Sequence, residues 1–107
     1  MTMLGQLEQM MMLAVLHLGK HAYGGRIRDE LEERGGKSLS LGTVYVTMRR
    51  LEKKGLIRSW LGDPTSERGG KAKRFYAVEP AGVEALHAAQ DTLGRMWKEL
   101  PHKTGPA

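Results

Sequence analysis

The chain has no cysteine, which excludes a disulfide framework and any thiolate metal site. A reducing cytoplasm is the expected setting. It also lacks a long apolar run. Met10 to Leu16 is apolar but falls far short of the roughly 20 residues a membrane-spanning helix needs. No positive region precedes that run and nothing resembling a cleavage site follows it, so no secretory signal is expected. Catalytic constellations are missing as well. Ser, His and Asp occur, but nothing places a nucleophile beside a base. The glycine-rich pieces lack the phosphate-cradling P-loop pattern. His17 and His21 have a helical metal-pair spacing, but Gly19 interrupts them and no cysteine or acid cluster completes a site. No enzyme activity, no metal and no cofactor are expected, and no internal repeat is found.

What is present is positive charge, unevenly spread. The 107 residues form one domain, or one domain plus an arm, with a net charge of +5. From Arg49 to Arg74 there are nine bases and three acids, a local excess of +6, larger than that of the whole chain. The acids Asp29, Glu30, Glu32 and Glu33 cluster elsewhere. Such a segregated basic stretch is compatible with a polyanionic partner.

Hydrophobic periodicity supplies the elements. Leu4 to Leu18 is free of proline and predicted helical, with Leu7, Met11, Ala14 and Leu18 on one face. Met10, Leu13 and Val15 spread around the rest, as in a helix buried on more than one side. A second helix is expected from about Tyr23 to Arg34, with Tyr23, Ile27 and Leu31 aligned and Gly35-Gly36 as its stop. Lys37 to Leu39 is expected to form a short strand. Ser40 is a suitable N-cap for a third helix whose Leu41, Val44, Met48 and Leu51 face inward. Gly42, Val46, Arg49, Arg50 and Lys53 point the other way, and Gly55 closes it. Leu56 to Leu61 and Lys73 to Val78 read as two strands of a hairpin. Pro80 opens a last helix, in which Val83, Gln90 and Trp97 interleave with Leu86, Leu93 and Leu100 as a short coiled-coil-like seam.

Helix, helix, short strand, helix, strand, strand, helix is the plan of a winged helix-turn-helix: mainly α with a two-stranded β-wing, followed by a C-terminal dimerisation helix. The expected division is a DNA-binding domain over residues 1–79, a dimerisation helix over 80–101 and a flexible tail over 102–107. In this plan the third helix enters the major groove, where base edges carry a distinct pattern. Thr43, Val46, Thr47 and Arg50 are expected near bases, with Val46 restricted to a thymine methyl. Arg49 and Lys53, with Lys54, are expected at phosphates, and Ser40 at the cap borders the same surface. In the wing, Gly69 and Gly70 permit close approach of the hairpin tip. Arg68 and Lys71 beside them, with Lys73 next along, supply cations for the minor groove or backbone.

Leu4-Gly5-Gln6-Leu7-Glu8, Tyr23-Gly24, Leu41-Gly42-Thr43-Val44-Tyr45, Arg50-Leu51-Glu52-Lys53-Lys54-Gly55-Leu56-Ile57, Glu67-Arg68-Gly69-Gly70-Lys71 and Tyr76-Ala77-Val78-Glu79-Pro80-Ala81-Gly82 together resemble the PadR family of bacterial transcriptional regulators. The resemblance covers roughly Leu4 to Leu100, and the length is similar to the short subfamily with a single C-terminal helix. It implies a homodimer held by the first and last helices, binding double-stranded DNA at a palindromic operator and mostly repressing. It implies that Tyr45 hydrogen-bonds a phosphate. It further implies release by a small aromatic or hydrophobic effector.

The dimer face or effector pocket is expected to draw on Met3, Leu7, Met10, Met11, Leu86, Ala89, Leu93, Met96, Trp97 and Leu100. In the multidrug-sensing branch of the family, paired tryptophans from the two last helices sandwich flat drugs. Counting from Gly82, the aligned position here is Leu93, and Trp97 lies one turn later on the same face. Trp97 therefore either packs the dimer interface or offers a ring for stacking. A second class of function is a winged-helix protein-interaction module without an operator. The local excess of base argues against it.

Overall fold

The computed structural model describes residues 3–62 and 72–100. Helix α1 (Gln6–Leu18) passes through a 3₁₀ turn (Gly19–His21) into α2 (Gly24–Glu33). Then come α3 (Leu41–Lys53), strands β1 (Ile57–Leu61) and β2 (Arg74–Val78), and α4 (Pro80–Trp97). This is a winged helix-turn-helix with one further helix.

Each boundary has a local cause. At the start of α1, Glu8 reaches back to accept the Gly5 N–H at 3.0 Å. This satisfies a donor that the helix itself leaves open. Gly19 ends α1 with φ of 57°. Ser40 caps α3 through its Oγ, which accepts the Thr43 N–H at 3.2 Å. Gly55, at φ of 76°, closes α3 in the left-handed region, and the Leu56 N–H returns to the Leu51 carbonyl at 3.1 Å. Pro80 starts α4 at a position where its missing N–H costs nothing.

The strands pair antiparallel, with Ile57 opposite Val78 and Leu61 opposite Arg74. Tyr23 adds a bridge to Phe75, and the Tyr76 N–H donates to the Ala22 carbonyl at 2.9 Å. The wing is thus tied to the chain just before α2. The core gathers Met11, Met12 and Val15 of α1 with Ile27 and Leu31 of α2. Val44, Met48 and Leu51 of α3, then Ile57, Tyr76 and Leu86, complete it.

Four expectations are corrected. Lys37 to Leu39 is not a strand, because the Lys37 N–H donates to the Leu31 carbonyl at 3.0 Å and this segment finishes α2 instead. Met11, expected at the dimer face, is 0 % exposed in the core, while Leu7 and Leu18 are only half-buried. The α1 sequence is apolar nearly all round, so its own pattern does not select a face. Leu86, expected at the dimer face or pocket, is mostly buried in its own core and keeps only a small exposed part. Finally, α4 ends at Trp97 with Lys98 extended, so Leu100 lies beyond the helix. Pro101 disfavours helical backbone at the residue before it.

Candidate nucleic-acid interface

The apolar side of α3 is fixed by Val44, Met48 and Leu51, all 0 % exposed. At about 100° per residue, the opposite ridge is Gly42, Val46, Arg49 and Lys53, and all four are exposed. Thr47, expected near bases, is 3 % exposed. It lies one turn from both Val44 and Leu51 and so shares their side of the helix, which removes it from the reading surface.

The flanks of α3 are engaged differently. On one side the Lys54 ammonium donates to Glu8 Oε2 of α1 at 2.7 Å. Lys54 is therefore held within the protein rather than free for phosphate. Burial works to push the Glu8 carboxyl up. The hydrogen bonds from Lys54 and the Gly5 N–H, with the charges of Lys54 and Arg50, outweigh it and leave the carboxyl below its ordinary range. Arg50 is exposed, and its charge acts on Glu8 from the same flank of α3. Ser40 and Thr43 stand at the exposed start of the helix, their hydroxyls 3.1 Å apart.

On the other flank lies a cleft of about 710 Å³ between α3 and the wing, lined among others by Tyr23, Tyr45, Arg49, Glu52 and Arg74. Tyr45 is 41 % exposed, and its ring lies over Gly24, where a Cβ would come within 2.6 Å of the phenolic oxygen. Glycine at the start of α2 is what lets Tyr45 lie there. Across the cleft floor, the Ser59 hydroxyl donates to the Glu52 carboxylate (3.0 Å) and accepts from Arg74 Nη1 (2.9 Å). This chain of hydrogen bonds fixes β1 and β2 against α3. Burial pushes the phenol of Tyr76, in the wall of the cleft, up from its ordinary value.

Rings of the wing and of the turn before α2 form an aromatic column that reaches the edge of the cleft. Trp60 stacks on Phe75 at 6.2 Å, Phe75 meets Tyr23 edge-on at 5.7 Å, and Lys73 Nζ lies 4.2 Å over the Tyr23 ring. Lys73, expected at DNA, therefore also braces the base of the wing. Arg58 lies 5.9 Å over Trp60 and donates to Glu79 at 2.8 Å. Arg68, Gly69, Gly70 and Lys71 lie outside the described residues.

A second surface separates from the first. Between α1 and α4 is an apolar groove of about 470 Å³, with Leu13, Leu16, Val83, Leu86, Leu93 and Trp97 on its walls. Trp97 is 70 % exposed. Of the residues expected there, Leu86, Leu93 and Trp97 come together. Met10 instead lines a smaller hollow of about 190 Å³ between α1 and α2. Met3, Met96 and Leu100 are exposed, and Ala89 does not line the groove. Sequence reading missed Leu13 and Leu16, whose outward position follows only once Met11 and Met12 are known to face in. It also missed Glu8, although an acid set in a run of apolar residues was a usable signal. Among the described residues no group of three or more His, Cys, Asp or Glu is placed to hold a metal. No helix among them is long and apolar enough to cross a membrane.

Comparison with known proteins bears on this geometry. Residues 12–88 match the transcriptional regulator PadR-like family. Transcriptional regulator Rv3488 of Mycobacterium tuberculosis is 35 % identical over 92 residues, spanning 79 % of this chain and 79 % of that protein. The crystal structure of a PadR family transcription regulator from hypervirulent Clostridium difficile aligns with a TM-score of 0.64 at 28 % identity, covering 83 % of this chain and 91 % of that one. Bacillus subtilis PadR, solved in complex with operator DNA, shares the fold at a TM-score of 0.60 and 17 % identity, over 94 % of this chain and 53 % of that one.

Proposed function

The chain belongs to the PadR-like family of transcriptional regulators, and on that premise we propose that it is a homodimeric repressor that grips a palindromic operator. The family is one of regulators rather than enzymes. The observation that carries the reading is the exposed ridge of α3. It presents Gly42, Val46, Arg49 and Lys53 to one side, and among the described residues neither Arg49 nor Lys53 has an ion-pair partner. A helix so faced, with a braced hairpin beside it, suits major-groove entry with flanking phosphate contacts.

In this reading Val46 and Arg49 face bases, Arg49 taking from the outward ridge the place expected of Arg50. Thr43, Ser40, Arg50, Lys53 and Tyr45 border them, and residues 68–71 with Lys73 form the wing contact. Residues 1–79 are the DNA-binding unit and α4 the dimerisation helix. The α1–α4 groove leaves Leu13, Leu16, Leu93 and Trp97 open, a surface suited to a second copy and to a small aromatic or hydrophobic effector lodged at the seam. Such a regulator works in the cytoplasm.

The test is a gel shift with the DNA upstream of its own gene, at raised salt and with excess competitor duplex. A retained shift, from a species that sediments as a dimer, supports the reading. Loss of all binding under competitor sinks it and favours the protein-interaction alternative. Quenching of tryptophan fluorescence by a panel of flat aromatic compounds tests the effector role, and no quenching across the panel assigns Trp97 to packing alone.

A further inference from the structure

We propose that Val46 contributes to sequence specificity by reading a thymine methyl, and that Gly42, one turn earlier, admits the DNA closely enough for it to do so. The inference rests on the DNA-binding role proposed above and goes beyond it.

Gly42 has no explanation inside the fold. It lies in the first turn of α3 and is exposed. Its φ is not positive, and a Cβ there would meet only Ser40 Oγ at 3.8 Å, an ordinary contact. Alanine would fit and would favour the helix. Gly55, by contrast, sits at φ of 76°, and Gly24 gives way to the Tyr45 ring, while Gly94, equally free of neighbours, lies in α4 and not on this ridge. A glycine that the protein's own packing does not require, on the ridge that faces outward, is accounted for by something that approaches from outside. Glycine is used where a ligand comes close to backbone.

Val46 follows one turn later on the same ridge and is 54 % exposed. It is β-branched, which lowers helix propensity. It is apolar, and it has no hydrogen-bonding atom in its side chain. Among base-edge features of the major groove, an apolar side chain distinguishes the C5 methyl of thymine. Arg49 succeeds it on the ridge and is the side chain able to pair with guanine O6 and N7. The reading surface is therefore shallow at Gly42, apolar at Val46 and cationic at Arg49.

The experiment begins with duplexes selected from a random pool by the wild-type protein. Each thymine of the selected duplex is then replaced singly by deoxyuridine, which removes only the methyl. One position per half-site should weaken wild-type binding roughly fourfold, the worth of one buried methyl group. Val46→Ala should bind both versions alike. Gly42→Ala should melt at or above the wild-type temperature yet bind the selected duplex at least tenfold more weakly. The inference is overturned if no deoxyuridine position matters or if Gly42→Ala binds like wild type. If the wild-type protein enriches no duplex at all, the DNA-binding role falls with it.

Discussion

Replacing Lys54 by methionine keeps the aliphatic stem but removes the cation that faces Glu8. The Glu8 side chain is 9 % exposed and that of Lys54 28 %, so the pair lies between a buried and a surface ion pair. Breaking a fully buried pair costs about 3–5 kcal/mol, whereas an exposed pair contributes about 0–1 kcal/mol. Water at Lys54 screens part of the interaction, which places the loss at about 2 kcal/mol. For a domain of this size that lowers the melting temperature by roughly 10 °C.

The pH dependence identifies the cause. The folded Glu8 carboxyl titrates below its ordinary range. Its contribution is therefore complete above the unfolded value of about 4.3 and is lost as pH falls through the lower folded value. In Lys54→Met, burial remains and the donor is gone, so that contribution is absent at neutral pH. The gap between wild type and variant should be widest at pH 7 and should narrow below about pH 4. Urea unfolding followed by circular dichroism, at one fixed protein concentration across pH 3–7, measures it. A gap that stays constant with pH, or that is under about 0.5 kcal/mol at pH 7, refutes the argument.

Gly82→Ala places a Cβ against the Leu56 carbonyl and 2.7 Å from Val78 Cγ1, so α4 must shift off the hairpin. The expected cost is about 2–3 kcal/mol, read from thermal melts. Leu93→Asp adds a charge at a half-exposed position and tests the proposed dimer: the fold should stay intact while sedimentation shifts to the monomer. Trp60→Ala removes the stack on Phe75 and should cost about 1 kcal/mol in urea unfolding, and it leaves Trp97 as the sole indole for fluorescence measurements.

The parts of the fold legible in sequence are those with one-sided patterns. Helix α3 is bounded by a serine cap and a left-handed glycine, and its apolar spacing leaves a single choice of inner face. In α1, seven successive apolar residues permit several faces, and only packing against Ile27, Val44 and Met48 chooses Met11 and Met12. Thr47 carries a polar side chain, yet its phase puts it beside Val44 and Leu51 and buries it. The Glu8–Lys54 pair spans 46 residues, and no local signal connects two such positions. Trp60, Phe75 and Tyr23 are similarly distant in sequence and become a column only through strand register.

The last helix meets the rest of the protein near one end, with Gly82 and Leu86 as its buried residues. Mechanically it is a lever with its fulcrum at Gly82. At about 1.5 Å per residue, Trp97 stands roughly 22 Å from that fulcrum. A tilt of about 10° there carries the tip by roughly 4 Å, close to the 3.4 Å rise of one base-pair step. For two copies joined through such levers, the tightness of the Gly82 seat governs how accurately their reading helices fall into register along a duplex.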